Sequence, residues 1–351
     1  MKKKLCTIGM LLSMLYLITA CSGSGKSSVE NSTQSKEELR KEFLKLQFGM
    51  FIHFNMATFH EVEFSEREDP MTFNPTKLDI GQWADAAQSA GMKYAVLTTK
   101  HHYGFCLWDS KVTDYDIAAT PLAGRDIVKE FCDEFRARGI EPYLYIPISD
   151  RTLGILDTLT IRDKELIKTQ LHELLTGYGK IGALIFDGWG NSEVVWTHSD
   201  YDEIVGYVKS LQPDILVTDH YQVQRARAKD TIYGKFQKDP DGKEFITLEE
   251  AYQVNDFLNF EEPLGEWAWA PEGNTFASQQ ETTIQSLWFW KESFPTEELM
   301  SADEIVNGHI NVLKERSCNL LLNCAPNKDG LLDDNVVKRL AEVGLLYKNG
   351  K

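Results

Sequence analysis

The stretch of sequence that decides the fold is residues 181–190, which read I-G-A-L-I-F-D-G-W-G. Its four consecutive apolar residues, 183–186, lie between glycines, as is typical of a strand buried on both faces of a parallel sheet. Asp187 follows directly, and a carboxylate in this place is costly to bury unless it is paired or takes part in chemistry. In an α/β barrel, strand ends are also where active sites form. We therefore interpret Asp187 as a candidate catalytic residue; a structural turn aspartate is the alternative.

Short apolar segments alternate with segments of helical periodicity on both sides of this stretch. The segments predicted to be strands are 49–54, 94–98, 143–146, 183–186, 215–218 and 320–322. Two more are expected around 267–269 and 287–289, and the charged segment 222–264 is interpreted as a long excursion from the barrel rim. Repeated strand-then-helix units predict a parallel sheet with right-handed crossovers. The expected fold class is α/β, a (β/α)8 TIM-like barrel, with a doubly wound open sheet as the alternative.

The composition excludes several classes of partner. Of the 351 residues, 42% are hydrophobic, which is enough for one large domain or two smaller ones. The formal net charge of -16 argues against nucleic acid or an anionic membrane surface as the partner. No glycine-rich phosphate loop follows a predicted strand, which counts against a nucleotide. We expect no cofactor.

The first residues are typical of an export signal. A basic segment, residues 2–4, precedes an apolar segment, residues 10–18, that is too short to span a bilayer. Cys21 then follows a small residue and begins a Ser/Gly-rich segment, so the region resembles a bacterial lipoprotein signal with Cys21 as the lipidated residue. An ordinary signal peptide with a chance cysteine is the alternative.

This interpretation divides the chain into three parts. They are a signal peptide over 1–20, a flexible tether over 21–36 and a barrel domain over 37–351. The protein is then expected to be an exported lipoprotein at the periplasmic face or the surface of the outer membrane. The membrane is a partner only through the lipid.

Polar side chains collect where the predicted strands end. The residues at these positions are His53, His101, His102, Tyr145, Asp187, Asp219, His220 and Asn323. In a barrel they converge on one mouth, and Trp189 and Trp288 are among the aromatic residues nearby. Hydroxyl-binding groups beside aromatic faces are what a sugar requires. Zinc is the weaker alternative, because His101 and His102 are consecutive and no cysteine pair or wider histidine spacing supports a metal site.

A set of motifs in chain order adds a family resemblance. They are 48–54 (F-G-M-F-I-H-F), 73–75 (F-N-P), 91–105 (G-M-K-Y-A-V-L-T-T-K-H-H-Y-G-F), 108–111 (W-D-S-K), 124–128 (G-R-D-I-V), 186–188 (F-D-G) and 319–323 (N-L-L-L-N). Together they resemble the α-L-fucosidases of glycoside hydrolase family 29, over roughly residues 40–348. The resemblance implies a barrel catalytic domain that removes terminal α-L-fucose from fucosylated glycans with retention of configuration. The form expected here is the catalytic domain alone, without the family's C-terminal β-sandwich.

The resemblance also implies roles for individual residues. Asp187 matches the nucleophile that forms a glycosyl-enzyme intermediate, one of two carboxyl groups about 5–5.5 Å apart in retaining enzymes. The residues expected to bind the sugar are His53, Glu63, His101, His102, Tyr145, Trp189, His220 and Trp288. Two positions depart from the family: His220 stands where an arginine is common, and Ile185 where a tryptophan is common. A retaining glycosidase for another deoxy or galacto-configured sugar is therefore one alternative function, and a non-catalytic carbohydrate-binding lipoprotein is the other.

The acid/base is the open assignment. Glu272, in Ala270-Pro271-Glu272, resembles the family's Thr-Pro-Glu element and is the preferred candidate. Glu281 resembles a second family element and is the alternative, although Gln279 would occupy that position in an alignment without a gap. The alternative for both glutamates is that they are solvated loop residues with no catalytic role.

Overall fold

The computed structural model of the protein describes residues 34–189, 194, 197–220, 247–262 and 269–349. Residues Gln34–Lys351 form one compact unit. The predicted signal peptide and Cys21, the predicted lipidation site, lie outside the described residues. None of the helices in the described ranges is long and apolar enough to cross a membrane.

Eight parallel strands in the described residues form a nearly closed barrel, which confirms the predicted (β/α)8 fold. The strands are β1 Phe48–Ile52, β2 Tyr94–Thr98, β3 Glu141–Pro147, β4 Ala183–Asp187, β5 Leu216–Asp219, β6 Leu258–Glu261, β7 Ser278–Thr283 and β8 Cys318–Asn323. Backbone pairing runs in the order β5-β4-β3-β2-β1-β8-β7-β6. All the strands are parallel, so their carboxyl ends, and the polar residues that follow them, meet at one rim.

The described residues contain nine α-helices, and most of them begin after a residue whose side chain accepts a hydrogen bond from an amide of the first turn. They are α1 Lys36–Leu46, α2 Met56–His60, α3 Ile80–Ala90, α4 Ile127–Ala137, α5 Ile161–Gly177, α6 His198–Leu211, α7 Leu248–Val254, α8 Asn311–Glu315 and α9 Asp334–Asn349, with a π-helical turn over Glu304–Ile310. The predicted N-caps Asp79 and Asp126 each accept a hydrogen bond from a backbone amide in the first turn of their helix. Thr160 and Asp163 form a full capping box that starts α5.

The wall of the barrel separates two apolar clusters, and alternate residues of β4 pack into one or the other. Ala183 and Ile185 pack inside the barrel, whereas Leu184 and Phe186 pack outward into the larger cluster with the helices. All four residues are buried, as expected for a strand covered on both faces. Side chains alternate along a strand, so Asp187 shares the inward orientation of Ile185 and projects into the mouth of the barrel.

The amino-terminal end of the barrel is closed by α1, which the sequence pattern did not predict because the segment is dominated by charged residues. Phe43 stacks on Phe257 inside the barrel, with ring centroids 4.4 Å apart. The Arg40 guanidinium donates to the backbone oxygens of Tyr252 and Asp256, at 2.8 and 2.7 Å. α1 is therefore the floor of the barrel, on the side away from the rim.

The last two strands lie elsewhere than predicted. Residues 287–289 are a bend and residues 267–268 lie outside the described part of the chain, whereas the strands are β6 and β7. The segment interpreted as an excursion contains α7 and β6. β7 reads Ser-Gln-Gln-Glu-Thr-Thr and is almost entirely buried, with its polar groups satisfied partly by one another. A search for apolar runs does not find a strand of this composition.

Candidate active site

A cavity of about 430 Å³ opens at the carboxyl ends of the strands. Most of the residues predicted to form the site line it: His53, Glu63, His101, His102, Tyr145, Asp187, His220, Glu281 and Trp288. Residues that were not predicted also line it: Phe51, Phe64, Glu261, Thr283, Ser286 and Leu287. The cavity is large enough for a monosaccharide with room for part of a second unit.

The Asp187 carboxylate has polar contacts with four residues of the described chain. Its Oδ2 accepts a 2.6 Å hydrogen bond from the Tyr145 hydroxyl and lies 3.4 Å from His102 Nε2. Its Oδ1 accepts from the Gly188 amide at 2.5 Å and lies 3.6 Å from His220 Nδ1. Burial raises the pKa of the Asp187 carboxyl, but His220, His102 and Tyr145 together outweigh burial and hold the pKa well below its ordinary value. Asp187 is therefore an ionised, oriented carboxylate.

His220 lies between two carboxylates. Its Nδ1 faces Asp187, and its Nε2 forms an ion pair with Glu281 Oε2 at 3.2 Å. Burial lowers the pKa of the His220 imidazole, but Glu281 and Asp187 raise it by more, so it lies well above its ordinary value. The imidazole thus carries a positive charge at a position where an arginine is common in the family that the sequence resembles.

Two other histidines of the predicted set, His53 and His101, are neutral. The Asn323 side-chain nitrogen donates to the Trp288 carbonyl at 2.8 Å, so the Asn323 oxygen faces His53 Nδ1 at 2.7 Å. His53 Nδ1 must therefore carry the proton, which leaves Nε2 as an acceptor. Burial lowers the pKa of His53 to about 3 and that of His101 well below its ordinary value. Neutral imidazoles can accept or donate a hydrogen bond, as recognition of sugar hydroxyls requires.

Two loops hold His102 in place. Its Nδ1 lies 2.8 Å from Ser149 Oγ, and its carbonyl accepts from the Arg151 amide at 2.9 Å. The adjacent residues are joined by a buried ion pair, Lys100 Nζ to Asp150 Oδ2 at 2.7 Å. The loop after β2 and the loop after β3 are thereby fixed to each other, so His102 is positioned against Asp187.

Only glycine fits directly after Asp187. Gly188 has φ +63°, and a Cβ there would lie 2.3 Å from Ser149 Oγ and 3.0 Å from the His102 ring. The Asp-Gly sequence at the end of β4 is thus required by the close approach of the β2 and β3 loops.

Two further glutamates line the cavity, and both bind protons more readily than an exposed glutamate. Glu63 is half-buried, and its Oε1 accepts from the Trp288 amide at 3.1 Å. Burial raises its pKa despite that hydrogen bond. Burial also raises the pKa of Glu261, together with the negative charges of Glu281 and Asp187, to about 7. The alternation Leu258-Asn259-Phe260-Glu261 is the sequence signal that would have placed Glu261 inside the barrel.

The two acid/base candidates from the sequence differ in position. Glu281 is inside the barrel on β7, where its Oε1 accepts from the Gln279 side-chain amide at 3.2 Å. Glu272 is exposed in a turn at the amino end of β7, outside the cavity. Arg316, two residues before β8 begins, donates to the Ala270 carbonyl at 2.7 Å. The turn that contains Glu272 therefore lies near the amino end of β8 as well. The preference for Glu272 therefore has to be corrected, because the residue lies at the opposite end of the barrel from Asp187.

The two tryptophans also differ. Trp288 lines the cavity, with its ring 5.0 Å from His53 between centroids. Trp189 is buried outside the cavity and packs against Tyr201 and Phe186, at 5.1 and 6.2 Å between ring centroids. Trp189 is therefore a core residue in the structure and not a sugar contact.

The described ranges contain no group of three or more His, Cys, Asp or Glu side chains positioned to hold a metal ion. The chemistry available at the rim is that of carboxylates, imidazoles and a tyrosine hydroxyl.

Comparison with known proteins identifies the family of the chain. Residues 59–351 match the family model described as alpha-L-fucosidase. Alpha-L-fucosidase 1 of Arabidopsis thaliana is 28% identical over 317 residues, which cover 85% of this chain and 58% of that protein. Alpha-L-fucosidase isoenzyme 1 of Paenibacillus thiaminolyticus, a solved structure, is 26% identical, with a TM-score of 0.68 over 90% of this chain and 77% of that one.

A second solved structure shares the fold at lower identity. It is a family 29 alpha-L-fucosidase of Bacteroides thetaiotaomicron, a trapped covalent intermediate, with a TM-score of 0.69 and 22% identity over 90% of this chain and 75% of that one.

A parallel barrel whose rim gathers carboxylates, imidazoles and aromatic faces is an arrangement found in the class of barrel glycoside hydrolases. Because the family model covers most of the sequence, the chain belongs to the alpha-L-fucosidase family. It spans a little over half the length of the curated relatives that it matches, 55% and 58% for the first two.

Proposed function

We propose that the protein is a retaining exo-α-L-fucosidase that removes terminal α-L-fucose from glycans by double displacement. The observation that carries the proposal is Asp187, an ionised carboxylate held at the bottom of a sugar-sized cavity by Tyr145, Gly188 and two histidines. Membership of the alpha-L-fucosidase family supports the choice of sugar. A cavity that is closed below by the barrel core fits removal of a terminal unit better than cleavage within a chain.

In the first step, a carboxylate oxygen of Asp187 attacks the anomeric carbon and the glycosidic bond breaks. The departing oxygen takes a proton from a carboxylic acid, and the sugar becomes an ester of Asp187. In the second step, water attacks the anomeric carbon, gives its proton to the same carboxylate and releases Asp187. Two inversions at one carbon give a product of retained configuration.

We assign the acid/base role to Glu261. A general acid must carry a proton at the working pH, and with a pKa of about 7 Glu261 is protonated in mildly acidic solution and about half protonated at neutral pH. Glu281 is less suited, because both of its oxygens already face donors, Gln279 on one side and the cationic His220 on the other. Glu272 is also less suited, because it is not among the residues that line the cavity.

His220 is the observation that favours an alternative sugar as the substrate. Its ring lies between Asp187 and Glu281, so it supplies charge at a position where the family that the sequence resembles commonly has the longer arginine side chain. A different deoxy or galacto-configured sugar with a bulkier substituent would fit such an exchange. Turnover of a panel of aryl glycosides compares these glycones directly, and binding without turnover would indicate a carbohydrate-binding protein.

The decisive experiment replaces the nucleophile. Asp187→Ala should lower kcat on an aryl α-L-fucoside by on the order of 10³-fold or more. Azide should restore part of the activity and form the glycosyl azide of inverted configuration, since azide takes the place of the carboxylate. An Asp187→Ala protein with near wild-type turnover would falsify the assignment.

We further propose that the enzyme is a lipoprotein held at the outer membrane by a lipid on Cys21. The support is the sequence: a basic segment, a short apolar segment and a cysteine that follows a small residue. The fucosylated glycan would then be met outside the inner membrane.

A further inference from the structure

The strand that carries Glu261 is held unevenly. On one side β6 pairs with β7 along its whole length. On the other side, its bonds to β5 lie at the amino end, where the Asp256 amide donates to the Val217 carbonyl at 2.8 Å and the Thr218 hydroxyl donates to the Phe257 carbonyl at 2.7 Å. In the described part of the chain, no backbone ladder joins β5 to the carboxyl end of β6. Contacts outside the sheet therefore bear on how the carboxyl end of β6 is held.

A buried ion pair lies at that end, behind the barrel wall. Glu262 follows Glu261 and lies near His309, whose Nε2 is 3.1 Å from Glu262 Oε2 and 3.3 Å from Oε1. The His309 side chain is only 5% exposed, whereas Glu262 is 24% exposed. Successive residues of a strand point to opposite faces, so Glu261 enters the cavity while Glu262 reaches outward to His309.

The geometry also fixes the charge of His309. Its Nδ1 lies 3.0 Å from the Glu304 carbonyl, and its Nε2 faces the Glu262 carboxylate. Both partners are acceptors, so both ring nitrogens must donate, and a ring with two N–H groups is an imidazolium. The indole of Trp269 covers the ring at 5.0 Å between centroids. His309 is therefore a buried cation with two fixed partners.

The backbone around His309 is unusual. Residues Glu304–Ile310 form a π-helical turn, a rare conformation that is often found near functional sites. The bond from the His309 ring runs to the carbonyl five residues earlier. The widened turn thus orients His309 toward β6.

We propose that His309 is a positioning residue: by binding Glu262 it fixes the carboxyl end of β6 and holds Glu261 where it can protonate the leaving group. This inference rests on the proposed function. His309 touches no part of the cavity, so it acts through Glu262 and the backbone of β6. The competing interpretation is an ion pair that stabilises the fold and nothing else.

The test compares two substrates that differ in their need for an acid. His309→Gln and Glu262→Gln should lower kcat/KM by about tenfold for an α-L-fucosyl oligosaccharide, whose leaving group must be protonated. For an aryl α-L-fucoside with a good leaving group, the fall should be less than about twofold, since that step needs little acid assistance. His172→Gln is the matched control, because His172 is an exposed histidine on helix α5. It should change neither value.

A second measurement does not depend on turnover. Hydrogen exchange at the amides of residues 258–262 should be faster in His309→Gln than in the wild type, and unchanged in His172→Gln. If His309→Gln does not fold, Glu262→Gln takes its place in both measurements, since its amide keeps the shape of the side chain.

The outcomes are distinct. Equal falls on both substrates, or no fall on either, would overturn the positioning role. If the wild type hydrolyses no α-L-fucoside, the proposed function fails, and exchange at 258–262 then decides the positioning of β6 alone. Unchanged exchange in His309→Gln would overturn the inference whatever the activity.

Discussion

At the scale of the residue, the charge on His220 has a consequence for the pH dependence of activity. Its pKa is raised because Glu281 and Asp187 outweigh burial, so the imidazolium persists at neutral pH and is lost as the pH rises through the raised value. The stabilisation that charged His220 gains from Asp187 and Glu281 is accordingly complete below the ordinary histidine pKa of about 6.5. It is lost as the pH rises through the raised pKa. The groups that face the ring are Asp187, Glu281, Glu261 and the Tyr145 ring.

We predict that His220→Arg retains activity at alkaline pH better than the wild type does, because a guanidinium does not lose its proton. His220→Asn should be impaired at every pH, since Asp187 and Glu281 would then lie close together without a cation between them. The measurement is kcat/KM for an aryl α-L-fucoside from pH 5 to 10. Identical profiles for His220→Arg and the wild type would contradict this account.

The acid/base assignment is also made at this scale. Glu261→Gln should lower kcat/KM for an oligosaccharide by on the order of 10²-fold or more and remove the loss of activity that begins near pH 7. With an activated aryl substrate, azide should accelerate turnover and give the glycosyl azide of retained configuration, because azide needs no base. Glu272→Gln is the control and should behave as the wild type. If Glu281→Gln alone shows azide rescue and leaving-group dependence, the role belongs to Glu281.

At the scale of the element, the ion pair between Lys100 and Asp150 joins two rim loops. Both side chains are almost fully buried, and Lys100 also donates to Gln170 Oε1 at 2.9 Å. Removal of one partner from a buried pair leaves an uncompensated charge.

Lys100→Met should therefore lower the free energy of unfolding by about 3–5 kcal/mol, measured by urea denaturation. The double variant Lys100→Met/Asp150→Leu should recover part of this loss, because no charge is left unpaired. The matched control is the exposed pair Lys77–Asp329, where Lys77→Met should change the free energy by less than about 1 kcal/mol. Equal effects at the two pairs would show that burial does not govern the contribution.

Elements also differ in how well the sequence predicts them. β4 was predicted correctly because a run buried on both faces is apolar at every position. β7 was missed because its inward residues Gln279 and Glu281 bond to each other, so the strand is buried without being hydrophobic. Glu272 was favoured for its local motif, and only the fold shows that its turn lies at the amino end of the barrel. Sequence periodicity records burial in apolar surroundings and carries no information on polar groups satisfied across strands.

At the scale of the whole molecule, the proposed lipid anchor gives a prediction that can be tested separately from catalysis. Cys21→Ala should release the protein from the membrane fraction without changing kcat/KM of the barrel, because the predicted tether lets the barrel act independently. The measurement is fractionation of cells followed by an activity assay of both fractions. An unchanged distribution would contradict the lipoprotein proposal.

The position of α1 at the amino-terminal end of the barrel places the start of the described chain opposite the cavity. The Gln34 amide donates to Asp214 Oδ1 at 3.2 Å, just before β5, so the described chain starts at the amino-terminal end of the barrel. The sugar cavity opens at the other end. A bead, a fluorophore or a partner protein joined directly at Gln34 would therefore lie on the side of the barrel away from the cavity. An immobilised layer attached in this way would present its cavities outward, toward the solution that carries the glycans.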